Sequence, residues 1–179
     1  MALISLHPPY IVKELVQPAK QSHSDFTWSP DSRYLAYTTN DGDGLEIRDV
    51  GSNQVVLSFK SQQQYGGGAQ PLSWLDQNQF SYILDNNLYI GSLNNPREKL
   101  IASDADNSVC NFESPTTFLP LDWSPDKKYV SYQSTSSLVI LDITNNKKYK
   151  FGSLSEDEGY CGAQVTASGI GWRNQNQYF

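Results

Sequence analysis

Histidine and cysteine are almost missing from this chain. Its 179 residues hold two of each, His7 and His23, Cys110 and Cys161, with a single methionine. Two cysteines make neither a disulfide framework nor a tetrahedral zinc site. Both histidines lie near the N-terminus and no Gly-x-Ser-x-Gly elbow occurs, so no Ser–His or Cys–His nucleophile pair is expected. Charge is sparse too: 18% of residues are charged and the net charge is −6. An acidic chain is repelled by phosphate backbones and anionic lipid, which argues against nucleic-acid and membrane-surface partners. No stretch approaches the ~20 apolar residues of a membrane span, so membrane insertion is not expected. Residues Met1 to Pro9 lack the basic start and apolar run of a signal peptide. The expected location is cytoplasmic, or periplasmic if a leader has been removed. Sustained 3.6-residue periodicity is missing as well, which leaves little room for helix.

Aromatic residues are plentiful and regularly placed. Trp28, Trp74, Trp123 and Trp172 are 46, 49 and 49 residues apart, and each is followed six residues later by a ring: Tyr34, Phe80, Tyr129 and Tyr178. A fixed period of ~40–50 residues marks a stacked-repeat architecture.

Each repeat reads as four short strands, a to d. In the first, Asp25–Trp28 is strand a, Ser29-Pro30-Asp31-Ser32 a turn, and Tyr34–Thr38 strand b. Proline fixes φ, and Asp and Ser bond back to the backbone, which suits a tight reversal. Leu45–Asp49, with strict apolar–polar alternation, is strand c, and Val55–Phe59 is strand d. The second repeat runs through Pro71–Trp74, Phe80–Leu84, Leu88–Ile90 and Glu98–Ile101. The third runs through Leu121–Trp123, Tyr129–Tyr132, Leu138–Asp142 and Lys148–Phe151. The fourth starts at Gly169–Trp172 and reaches only Tyr178-Phe179. Near the N-terminus, residues 10–16 read as an orphan strand d. The expectation is an all-β fold over 1–179: an incomplete β-propeller of four-stranded antiparallel blades. Full blades occupy 22–60, 69–103 and 116–153, and a partial blade occupies 167–179. Unpaired edges recruit other strands, so self-association is a route to completing the ring. The three complete tryptophan repeats should be buried, and Trp172 more exposed.

The motif Trp-Ser-Pro-Asp-x-x-x-Tyr-[Leu/Val]-x-Tyr, at Trp28–Tyr37 and Trp123–Tyr132, resembles the WD40-like repeat of TolB-type β-propellers. Similar blades occur in the tricorn protease and in prolyl-oligopeptidase-type peptidases. The second and fourth repeats depart from it, with Trp74-Leu75-Asp76-Gln77 and Trp172-Arg173-Asn174-Gln175. Eukaryotic WD40 repeats usually end strand c in Trp-Asp; here that place holds Arg48-Asp49, Gly91-Ser92 and Leu141-Asp142. The resemblance implies a partner-binding platform with no catalytic residue and no cofactor. The alternative it raises is the regulatory propeller of a peptidase whose catalytic domain lies outside this chain.

Two loop sequences invite other readings. Tyr65-Gly66-Gly67-Gly68 is followed by no Lys-Ser/Thr and no helix, so it is an inter-blade loop rather than a phosphate cradle. Asn40-Asp41-Gly42-Asp43-Gly44 starts like a calcium loop but has Ser52 where the bidentate glutamate belongs, so it reads as a hairpin tip and no metal site is expected. The long connections 103–120 and 153–168 each carry one cysteine and several carboxylates: Asp104, Asp106 and Glu113 in the first, Glu156, Asp157 and Glu158 in the second. Functional residues concentrate on such loops. They form the candidate partner-binding rim, suited to a basic protein partner or a cation. A disulfide between Cys110 and Cys161 is disfavoured in a reducing compartment.

Overall fold

The structure, a computed structural model, describes residues 2–4, 12–14, 26–39, 44–62, 72–105, 121–134, 137–151, 172–174 and 177–178. All the regular structure among them is strand. Near the N-terminus, β1 (Ala2–Ile4) pairs antiparallel with β2 (Val12–Glu14). β2 lies inside the segment read as an orphan strand; β1 was not anticipated.

Three four-stranded antiparallel sheets follow, each in chain order. The first blade is β3 (Phe26–Trp28), β4 (Tyr34–Thr38), β5 (Gly44–Asp49) and β6 (Gln54–Lys60). The second is β7 (Ser73–Trp74), β8 (Gln79–Leu84), β9 (Asn87–Ser92) and β10 (Lys99–Ala102). The third is β11 (Asp122–Trp123), β12 (Tyr129–Ser134), β13 (Ser137–Asp142) and β14 (Lys147–Phe151). A last pair, β15 (Trp172–Asn174) and β16 (Gln177–Tyr178), is antiparallel. Of the Gly169–Trp172 stretch with which the fourth repeat was read to begin, only Trp172 lies among the described residues.

The Ser-Pro-Asp turns of the first and third blades are built alike. Ser29 Oγ donates to Asp31 Oδ1 at 2.6 Å, and Ser124 Oγ to Asp126 Oδ1 at 2.8 Å. The same hydroxyls accept the backbone N–H of Tyr34 and Tyr129, each at 2.9 Å. Ser32 and Lys127 take the left-handed conformation, at φ 59° and 60°. In the second blade Asp76 alone organises a turn one residue shorter, accepting from the N–H of Asn78 and Gln79 at 2.7 Å.

That difference shifts the register. Trp28 pairs with Leu35 and Trp123 with Val130, but Trp74 pairs with Phe80 itself. The ring six residues after each tryptophan is therefore not one structural position. Phe80 is equivalent to Leu35 and Val130 and is fully buried; Tyr34 and Tyr129, one place earlier, are half-buried. The aromatic position that the three blades do share is Tyr37, Tyr82 and Tyr132, opposite Glu46, Tyr89 and Val139.

Alternation along each strand splits every blade into two faces. Ala36, Leu45, Ile47 and Phe59 of the first blade pack on Leu72, Phe80, Tyr82 and Leu84 of the second. Ile83, Leu88 and Ala102 of the second pack on Leu121, Trp123, Val130, Tyr132, Val139 and Leu141 of the third. Each pair of successive blades thus buries a core between them, as repeat units too small to bury their own faces must.

Candidate interaction surface

The tryptophans sit at the blade-to-blade seams and are used in two ways. Trp74 stacks on Tyr34 of the preceding blade, with ring centroids 6.2 Å apart. Trp172 stacks on Tyr129 in the same manner, at 5.8 Å. Under Trp123 the equivalent residue is Gln79, and there the indole N–H donates instead to Ser81 Oγ at 2.7 Å. Trp28 is the first of the series, and among the described residues no ring stacks on it. It is 36% exposed, against 6% for Trp123. Two expectations are corrected by this. Trp28 is the exposed tryptophan because its seam partner would belong to a preceding blade, and Trp172 is half-buried because Tyr129 covers it.

Polar groups tie the same seams. Ser61 Oγ, just after β6, donates to Asp85 of the second blade. Asp85 and Asn86 form a two-residue hairpin turn with φ of 51° and 62°, which short polar side chains tolerate. After β10, Asp104 accepts the Tyr132 hydroxyl at 2.9 Å and Lys148 Nζ at 2.6 Å, both from the third blade. Burial alone would raise the Asp104 pKa, but Lys148 and Tyr132 outweigh it and hold the carboxyl below its ordinary value. Burial, and then the bond to Asp104, pushes the Tyr132 phenol well above the ordinary tyrosine range. Burial likewise raises Tyr82, to about 12.

The end of strand c is held by an acceptor in every blade. Asp49 accepts from the N–H of Ser52 at 2.9 Å and from Arg33 Nε at 3.0 Å. Asp142 accepts from the N–H of Thr144 and Asn145 and from Asn145 Nδ2. Ser92 Oγ accepts from the N–H of Asn95 at 3.1 Å. The hydrogen bonds to Ser52 and Asn145 lower the pKa values of Asp49 and Asp142.

Of the six carboxylates read as a partner-binding rim, Asp104 is engaged in the seam between the second and third blades. Asp106, Glu113, Glu156, Asp157 and Glu158 lie outside the described residues, as do Cys110, Cys161, Tyr65–Gly68 and most of Asn40–Gly44. Sequence reasoning missed a different feature. Five of the nine lysines stand in the third blade, Lys127, Lys128, Lys147, Lys148 and Lys150, against three aspartates. Three of them lie in β14, whose five residues are all exposed. The run Lys-Lys-Tyr-Lys-Phe is legible in the sequence as a basic strand.

Solved structures show the same architecture. The chain matches one chain of a crystallised mitotic checkpoint complex with a TM-score of 0.57, at 16% identity over 79% of this chain and 40% of that one. It matches the β-propeller domain of Myceliophteria thermophila Cps50 (Swd1) with a TM-score of 0.51, at 13% identity over 83% of this chain and 50% of that one. The fold is a β-propeller. Its blades are four-stranded and the propeller is incomplete; this chain spans half or less of the length of either neighbour. No family model and no curated protein matches it.

Proposed function

We propose that this propeller is a non-enzymatic scaffold for protein–protein interaction, of the TolB-like branch that its Trp-Ser-Pro-Asp turns suggest. One observation carries the reading. The described groups with displaced pKa values serve the framework: Asp31 and Asp126 their turns, Asp49 with Arg33 and Asp142 the ends of strand c, Asp104 and Tyr132 a seam, and Tyr37 and Tyr82 hydrogen bonds within their own blades, to Glu46 and to the Pro96 carbonyl. Active sites gather perturbed groups around a cleft. Here they are distributed along the repeats. A rigid stack that presents loops and outer strands is suited to holding partners. The mitotic checkpoint complex neighbour is itself taken from an assembly, which fits this reading. The peptidase-associated alternative finds no support in the two similar structures.

The acidic loops at Asp106, Glu113, Glu156, Asp157 and Glu158 belong to this proposal as a surface for a basic partner. Affinity capture on immobilised chain tests it. A saturable partner retained by wild type, lost in Trp123→Ala and kept in Trp28→Ala would support a scaffold that depends on intact seams. Charge reversal at Asp157 and Glu158 should slow capture of a basic partner and weaken its salt dependence. No saturable partner at any salt concentration would refute the scaffold.

A further inference from the structure

We propose that the outer edge of β14 is a docking strand for an acidic peptide segment, added in extended form as a fifth strand of the third blade. This rests on the scaffold reading and names a partner for it.

The edge is open. Among the described residues β14 pairs only with β13. Strand alternation puts Lys147, Tyr149 and Phe151 on one face and Lys148 and Lys150 on the other. Tyr149 is 39% and Phe151 51% exposed. The positions equivalent to Phe151 are Phe59 and Ala102, opposite Leu45 and Leu88, and both are buried against the following blade. Lys147 Nζ lies 4.8 Å from the centre of the Tyr149 ring. Lys148 is ion-paired to Asp104 and Lys147 stands opposite Asp142 in the register, whereas Lys150 forms no ion pair with a described carboxylate.

The lysines have a simpler explanation, because charged residues, lysine especially, keep edge strands from aggregating. That role accounts for a lysine on each outer strand, whereas β14 carries three lysines and two exposed rings in five residues. The outer strands β6 and β10 each hold one lysine beside exposed aliphatic side chains, Val55 and Val56 in β6 and Leu100 in β10, and neither exposes a ring. β14 joins cations, rings and unpaired backbone in a chain of net charge −6, so the complementary ligand is acidic. Strand addition supplies main-chain hydrogen bonds for affinity and alternate side chains for specificity. The fitting peptide alternates apolar residues, set beside Tyr149 and Phe151, with carboxylates set beside Lys150.

The probe is a labelled synthetic peptide of four Glu-Val repeats, titrated onto the full chain by fluorescence anisotropy. Four Lys-Val repeats and an eight-nucleotide oligothymidine are the comparisons. Saturable, salt-sensitive binding of the Glu-Val peptide is expected, with slowed amide exchange over residues 147–151. Lys150→Glu should weaken it about threefold, as one lost cross-strand charge pair implies. Tyr149→Ser, which leaves every charge in place, should weaken it as well. The assignment is overturned if the Glu-Val peptide does not bind, if the Lys-Val peptide binds equally, or if oligothymidine displaces it. Unchanged affinity in folded variants, or protection confined to other strands, overturns it too. If the edge assignment falls while wild-type chain still captures a saturable partner, the scaffold reading stands; if both fail, both are wrong.

Discussion

Trp123 donates its indole N–H to the hydroxyl of Ser81, 2.7 Å away across the seam between the second and third blades. The register places Ala36 in the first blade where Ser81 stands in the second, since Thr27 pairs with Ala36 and Ser73 with Ser81. Trp74, the next tryptophan along, correspondingly has a buried indole N–H with no acceptor among the described residues. The two seams differ in two places: Ser81 stands for Ala36, and Gln79 for the Tyr34 ring on which Trp74 stacks.

Ala36→Ser should therefore stabilise the protein. The new hydroxyl would meet the Trp74 indole as Ser81 meets Trp123, adding a net ~0.5–1.5 kcal/mol for one buried hydrogen bond. Urea unfolding checks it: the midpoint should rise with an unchanged slope. A lower midpoint would mean that the Ala36 site, 1% exposed, has no room for the oxygen.

The four tryptophans should differ in cost when replaced by alanine. Trp123, buried and hydrogen-bonded, should lose about 3–5 kcal/mol. Trp28, the most exposed, should lose least, with Trp74 and Trp172 between them as half-buried, stacked rings. Denaturant unfolding of the four variants gives the order. A Trp28→Ala loss equal to that of Trp123→Ala would contradict the seam account.

Acid should weaken the fold through a defined set of carboxylates. Asp31, Asp49, Asp104, Asp126 and Asp142 all have folded pKa values below their ordinary ones. A depressed pKa contributes stability that is complete above the unfolded value, near 4, and lost as pH falls through the folded one. Stability should hold steady from pH 7 to about 5 and drop steeply below about 4. Asp142→Asn and Asp49→Asn should lower stability at pH 7 and flatten the acid slope. An acid slope unchanged in both variants would show that these carboxylates are not the titrating groups.

Most of the fold was legible in the sequence because a blade is specified locally. Alternation marked strand c at Leu45–Asp49, and Ser-Pro-Asp marked the a–b turns, so Tyr34–Thr38 was placed to the residue. What failed was the equivalence of the rings after each tryptophan. Spacing counts residues, whereas strand pairing counts from the turn, and the Asp76 turn is one residue shorter than those of Ser29 and Ser124. The burial of Trp28 was misjudged for a similar reason: a seam side chain is covered by the blade before it, not by its own repeat. The Asp104 tie was hidden because Tyr132 and Lys148 lie 28 and 44 residues away. No local pattern links an acidic loop residue to either of them.

The account rests on blades locked to one another by their tryptophans, and a double-mutant cycle at Trp123 and Ser81 tests that most directly. Trp123→Phe, Ser81→Ala and the double variant should be unfolded in urea beside the wild type. Ser81→Ala alone should cost about 1–3 kcal/mol, because it strands a buried donor. In the Trp123→Phe background that cost should largely vanish, which gives a coupling energy of about 0.5–3 kcal/mol. Strictly additive losses, with no coupling, would contradict the claim that this bond holds the second and third blades together.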